Sequence, residues 1–493
     1  MPLRLIALLC LLASPFAGAS SPAVPPASMP DRAGLLADAR LLETVYEQLH
    51  PGLYRYNTPA QMRGRFAQLR RDLERAPSLP AAYLAFARLT AAIRCGHTYP
   101  NFWNQSPDVA AVMFGGANRV PFHFRWLDGQ MIVADDAMPG LPRGTRVLAI
   151  DGVEAARILA ALMPLVPADG SNDAKRIDEL DVLGRDRYEA FDVFYPLVFP
   201  VHDGELRLRV QRPASATPDE VTVKALTDAD RARARPPRDR DDAGWVLSFP
   251  AAGQALLTMP SWVRYESQRD WHADLDKVFA ELNARGVRLL VIDLRDNGGG
   301  SDVGDDLLAH LTRTPLVFTG YRELLRYRRV PKAIRPYLHT WDRGFFDWRD
   351  QARDFDGRFY RRVRTEDAVD DRIAPRAPFF AGQVKVLVGP TNSSATFEFA
   401  TRVKASGVAT LVGRTTGGNR RGINGGAFFF LRLPHSGIEL DVPLVGQFPV
   451  TPQPDAGVVP DVPVRWTIAD IVAGRDPDKE AAFGATPAGQ ATP

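Results

Sequence analysis

The chain has 493 residues, 45% of them hydrophobic and 24% charged, with a net charge of +3. That composition excludes a disordered or fibrous protein, and the near-balanced charge gives no sign of a nucleic-acid binder. At roughly 150 residues per domain, the length leaves room for about three domains.

The first residues, MPLRLIALLCLLASPFAGASS, place Arg4 ahead of an apolar run that ends in Ala17, Gly18 and Ala19. This predicts a secretory signal peptide over 1–19, cleaved after Ala19, and a periplasmic or secreted protein. The run is shorter than the ~20 residues of a membrane span, and no later stretch is long enough, so no membrane insertion is expected after cleavage. Cys10 leaves with the signal, so Cys95 has no partner for an internal disulfide.

A Pro- and Ala-rich spacer follows to about Ser28, and then helical patterning. Phe86, Leu89 and Ile93 share one helical face, and Gly96 is expected to stop that helix just before His97. The expected N-terminal helical domain covers 20–117. From 118 to 237 the pattern changes to short β runs, among them Thr145 to Ile150 and Glu205 to Val210. Within it, 141–162 reads as strand, Asp151-Gly152 turn and amphipathic helix, which resembles the carboxylate-binding half of a PDZ domain. Acids interleave the arginines of 231–242, so a solvated linker is expected there.

From Gly244 strands alternate with helices, which predicts βαβ units around a buried parallel sheet. The expected α/β domain runs over 244–470, with a flexible tail at 471–493. An Arg- and aromatic-rich insertion, roughly 321–370, reads as a helical flap over the core.

In AGQVKVLVGPTNSSATFEFATRVKASGVATLVG (381–413), Ser394 falls at a strand-to-helix turn. A hydroxyl there lies at the carboxyl edge of the sheet, where such folds bind ligands. Serine is also an ordinary helix cap, so this segment alone does not establish chemistry. The second element is LVIDLRDNGGG (290–300), whose glycines offer bare backbone N–H groups. No Walker or GxGxxG pattern accompanies them, which leaves an oxyanion hole from Gly299 or Gly300 together with Ala395. No metal-ligand motif is present, and no cofactor is implied.

DLRDNGGG, SATFEFA (394–400), VGRTTGG (412–418) and GVVPDVPV (457–464) together resemble the tail-specific, or C-terminal-processing, serine peptidases. The resemblance implies a crotonase-like α/β peptidase domain, preceded here by the PDZ-like β region and the helical domain. It also implies Ser394 as nucleophile and protein or peptide substrates. One branch of that family activates its serine with a lysine at the position of Asn419, and this chain has none there. The tricorn-core-like branch uses a histidine, and CGHTYPN (95–101) is similar to its context, with His97 as general base and Gly96 where that branch has a serine. Histidine suits the role because its ordinary pKa lies near working pH. The resemblance places the orienting acid near Asp455, with Glu398 as an alternative and Asp461 as a turn residue. Rival readings are a small-molecule esterase or amidase, a non-catalytic binder of hydrophobic ligands on the same fold, and a thiol protease using Cys95, which lies too close to His97 in sequence for proton transfer.

Overall fold

The computed structural model describes residues 31–233, 244–265, 267–318, 320–363 and 371–484. The expected signal peptide, the spacer, most of the 231–242 linker and the last nine residues lie outside them.

Three helices, Arg32–Leu49, Pro59–Glu74 and Leu79–Ile93, open the fold, each started by a side-chain cap. Asp31 accepts from the Gly34 N–H, Thr58 and Gln61 form a capping box, and Ser78 accepts from Ala81. The third helix does not run to Gly96. It ends at Ile93 because Arg94 takes a left-handed conformation (φ 64°) and its carbonyl accepts from the Gly170 N–H at 3.0 Å. A tertiary contact therefore stops the helix, and His97 stands in a loop.

Residues 124–224 form an antiparallel sheet in the order Phe124–Leu127, Gln130–Val133, Arg146–Ile150, Glu205–Gln211, Asp219–Lys224, with Val153–Glu154 folded back on the third strand. Asp151 and Gly152 both have positive φ (50° and 77°), as a two-residue hairpin turn requires. Alternate residues of Glu205–Gln211 are buried, the period-2 signature read in the sequence. This sheet shares one apolar core with the N-terminal helices and the long strands Asn424–Arg432 and Glu439–Pro449.

The α/β sheet has the strand order Val462–Pro463, Thr410–Gly413, Gln383–Val388, Leu289–Asp293, Gln254–Thr258, Val246–Ala251, parallel except for the last. Helices Trp271–Ala284, Val303–Leu311 and Ser394–Ser406 cover one face, packing Leu275, Leu307 and Phe399 on Leu290, Ile292 and Val386. On the other face Val291, Leu387 and Val412 meet Ala482 of the helix Pro477–Phe483. Burial on both faces explains the unbroken apolar runs.

Two expectations are corrected here. Residues 471–484 are not a loose tail: the amine of Lys385 donates to the Ala482 carbonyl at 2.7 Å, and Arg295 pairs with Asp476 at 2.8 Å and Asp478 at 3.0 Å. The insertion is not a helical flap. Its strands Tyr321–Leu325, Tyr360–Arg362 and Ala352–Asp354 extend the sheet of Glu439–Pro449, and Leu338–His339 pairs on its other side with Asn424–Arg432. Its aromatics suit a pleated, half-buried surface, and its prolines allow only short 3-10 turns such as Arg335–Tyr337.

Candidate functional site

Three parallel strands, Leu289–Asp293, Gln383–Val388 and Thr410–Gly413, end side by side and release the glycine loop, the serine turn and the 414–423 loop at one sheet edge. Ser394 begins its helix with φ at +50°, a left-handed conformation that costs a non-glycine residue on the order of 1–3 kcal/mol. The capping alternative fails on geometry. Ser393 occupies the N-cap position, but its hydroxyl donates back to the Thr391 carbonyl at 3.0 Å and makes no cap bond. The helix start is instead held by Thr396, whose hydroxyl donates to the carbonyls of Ser393 and Asn297. The Ser394 side chain makes no hydrogen bond among the described residues and is half-buried.

The glycine run lies directly against this turn. A Cβ on Gly299 (φ 113°) would come within 2.8 Å of Ser394 Cβ and 3.1 Å of the Ala395 nitrogen, and one on Gly300 would strike the Trp262 backbone. Only glycine fits at either position. The Gly299 N–H donates to Asn297 Oδ1 at 2.9 Å, whereas the N–H groups of Gly300 and Ala395 have no partner among the described residues. Buried Asn297 and Asn392 fasten the two loops together: Asn297 Nδ2 donates to the Met259 carbonyl, Asn392 Nδ2 to those of Leu294 and Asn297, and Asn392 Oδ1 accepts from Gly389.

His97 is fixed by its neighbours more than by itself. Thr98 bonds the His50 ring at 2.8 Å, with burial and Arg55 bringing His50 down to about 3 and keeping it neutral. Cys95 Sγ accepts from Asn424 at 3.2 Å, and the Tyr99 carbonyl accepts from Asp441. Burial, reinforced by Asp169, pushes the Cys95 thiol up to about 11, so it stays protonated and inert. The His97 ring stands 5.7 Å from that of Phe428, centroid to centroid, and its Nδ1 is buried without a hydrogen bond.

The carboxylate beside that ring is Asp169, which sequence reasoning did not single out. Asp169 is 2% exposed; its Oδ1 accepts from the Gly96 N–H at 3.0 Å, and its Oδ2 is buried without a hydrogen bond. A Cβ on Gly96 would lie 2.9 Å from Oδ2, so the carboxylate fills the space a side chain there would need. Burial lowers the His97 pKa and raises that of Asp169, while their mutual attraction opposes both shifts.

Asp455 sits one layer away. Its oxygens accept from Ser171 N (2.9 Å), Ser171 Oγ (2.9 Å) and Asn419 Nδ2 (2.7 Å), and Asn419 also donates to the Asp169 carbonyl. These bonds outweigh the effect of burial and hold the Asp455 carboxyl below the usual range. Glu398 accepts from Gln447 and is raised to about 7 by burial. Asp461 pairs with Lys404 and accepts from the Leu411 N–H, as a turn-closing residue does.

A second residue absent from the sequence reading is Lys175. Its amine pairs with Glu179 and donates to the Thr391 carbonyl at 3.2 Å, three residues before Ser394, and its charge is felt by His97. Asn172 and Asp178 on the same segment bond Thr416, Gly418 and the Thr391 hydroxyl. Residues 169–178 thus touch both the histidine loop and the serine turn. No cluster of potential metal ligands occurs among the described residues.

Residues 254–428 match the family model of Peptidase family S41. No curated protein matches the chain in sequence. Among solved structures, the chain is similar to mature CPAF complexed with lactacystin, at a TM-score of 0.61 and 14% identity over 92% of this chain and 97% of that one. It is also similar to mature CPAF alone (0.59, 15% identity, 92% and 96%) and to the photosystem II D1 C-terminal processing protease (0.40, 15%, 88% and 93%). At such identities the CPAF likeness establishes a common fold. Residues 254–428, which carry the glycine loop and Ser394, match the model of peptidase family S41, and the protein is a serine-type peptidase on a fold similar to that of mature CPAF.

Proposed function

We propose that the chain is an exported peptidase that hydrolyses unfolded proteins or peptides through an acyl-enzyme on Ser394, with His97 as general base. The observation that carries this reading is the left-handed Ser394 at the head of its helix, pressed against Gly299. Strain of that kind persists where surrounding structure enforces it, and it sets a hydroxyl at the carboxyl edge of the sheet. His97 accepts the serine proton and returns it to the leaving amine, while Ala395 and Gly300 hold the oxyanion. Asn419, where the other branch of the family has lysine, is committed to Asp455 and the Asp169 carbonyl, which supports histidine as the base.

Asp169 orients the imidazole in place of the acid expected at Asp455. Its free oxygen and the free Nδ1 of His97 are the matched pair, and the missing side chain of Gly96 makes room for it. Asp455 then acts through Ser171 and Asn419, holding the Asp169 loop. The 124–224 sheet is assigned a PDZ-like role in gripping substrate termini, and export rests on the signal-like segment at 1–19.

The test is degradation of casein and of short tagged peptides by the mature chain, run beside simple acyl esters. The account predicts cleavage of casein and peptides that stops in Ser394→Ala. Ester turnover with casein untouched would identify a small-molecule esterase, and no turnover of either would leave a binding protein.

A further inference from the structure

Among the described residues, no apolar core lies beneath the face of the strand Asn424–Arg432 that begins at His97. Along this strand Ala427, Phe429 and Leu431 point into the large core, while Phe428 and Phe430 project from the opposite face and are half-buried. Neither packs into any of the three buried apolar clusters. They are covered by Trp341 alone of the tryptophans: its ring lies 6.1 Å from Phe428 and 5.9 Å from Phe430, centroid to centroid, and it remains 63% exposed. Phe345 supports Trp341 edge-on at 5.6 Å. Phe428 in turn stands 5.7 Å from His97, centroid to centroid, and a Cβ on Gly425 would lie 3.9 Å from the imidazole. A continuous aromatic shelf therefore starts at the general base and ends in solvent.

We propose that this shelf, Phe428 and Trp341, is the subsite for a large apolar or aromatic side chain of the substrate, within one or two residues of the scissile bond. The inference rests on the assignment of His97 as base. A base works only within hydrogen-bond reach of the reacting atoms, so an extended peptide seated there runs its neighbouring residues over whatever borders the imidazole. Successive same-side residues of an extended chain are ~7 Å apart, comparable to the 5.7 Å step from His97 to Phe428. Offset and edge-on ring contacts favour an aromatic occupant over an aliphatic one of equal area. Grouped apolar side chains left open to solvent beside a reactive group mark a place where a ligand docks. The shelf is supplied partly by the 321–363 insertion, through the segment after Leu338–His339, which gives that insertion a role in selecting substrate.

The experiment uses the full mature chain carrying Ser394→Ala and fluorescein-labelled octapeptides, otherwise Gly and Ser, with one central Phe, Leu, Ala or Asp, read by anisotropy. The Phe peptide should bind roughly tenfold tighter than the Ala peptide, with Leu between them and Asp weakest. Adding Trp341→Ala, or separately Phe428→Ala, should close the Phe-to-Ala gap to less than about twofold, with thermal unfolding followed to verify that each variant is folded. Equal affinities for the Phe and Ala peptides would overturn the proposal, as would a gap that survives both substitutions. Because Ser394→Ala is used throughout, failure of the Ser394-intact chain to hydrolyse peptides would count against the catalytic reading and leave the binding comparison standing.

Discussion

The two halves of the proposed site, nucleophile and base, are built in opposite ways. The nucleophile half comes from neighbouring strands of one parallel sheet: Leu289–Asp293 releases the glycine loop, Gln383–Val388 releases Ser394, and Asn297 and Asn392 fasten one to the other. The base half is gathered from four distant stretches: His97 in a loop, Asp169 and Ser171 after a helix of the β region, Asn419 beyond the serine helix, and Asp455 near the end. A sheet edge positions its residues through the hydrogen-bond ladder beneath them. The histidine loop has no such ladder and is held mainly by side-chain bonds to His50, Asp169 and Asn424, with backbone bonds at Arg94 and Tyr99. A backbone ladder thus sits under the proposed nucleophile and mainly side-chain bonds under the proposed base.

This contrast can be broken from either side. The largest effect is expected from Gly299→Ala, whose new methyl group would press on Ser394 and the Ala395 nitrogen. Loss of oxyanion and serine geometry should lower kcat on the order of 10²–10³-fold, measured on a peptide substrate, while KM changes little. Asp169→Asn should follow, lowering kcat because the imidazole loses the carboxylate that orients it. It should also move the acidic limb of the pH profile. Burial already lowers the His97 pKa, so that limb lies below histidine's ordinary value; Asp169 opposes the shift, and removing its charge takes the limb lower still. A limb that stays in place would mean that Asp169 only packs.

Asp455→Asn tests the outer layer of the base half. Its oxygens touch Ser171 and Asn419 and not the imidazole, so about a fivefold loss is expected, the worth of one weakened hydrogen bond, with the limb unmoved. The smallest effect belongs to Glu398, on the helix that carries Ser394. Its carboxyl is raised to about 7 by burial. A folded-state pKa above the ordinary one near 4.5 makes the protein lose stability as pH rises through that interval. Glu398→Gln removes the titration, so its Tm relative to the parent should rise by roughly a few degrees between pH 5 and pH 8. Parallel melting curves at the two pH values would show the carboxyl does not titrate there.

Legibility in the sequence follows the same division. Ser394 and the glycine run were visible because strand, turn and helix are contiguous, and Gly299 and Gly300 carry their steric reason in their identity. Asp169 was not visible, because its partner Gly96 is 73 residues away and the segment ADGSN (168–172) reads as an ordinary turn. Its one signal was negative: a glycine beside His97 where the resemblance calls for a serine. In the fold, the parallel sheet is legible from its apolar runs, whereas the insertion is not, because aromatics and arginines alone do not distinguish a helix from an outer sheet. The end of the third helix was misplaced for a similar reason, since the Gly170–Arg94 contact that stops it is long-range.

If Ser394 is the nucleophile, its reactivity depends on His97. The most direct measurement is the rate of fluorophosphonate labelling at pH 7.5, with the labelled residue located by mass spectrometry, in the parent chain and in His97→Ala. A single adduct on Ser394 is expected in the parent, and a rate on the order of 10³-fold lower in the variant. An adduct on another residue, or equal rates in the two proteins, would contradict it.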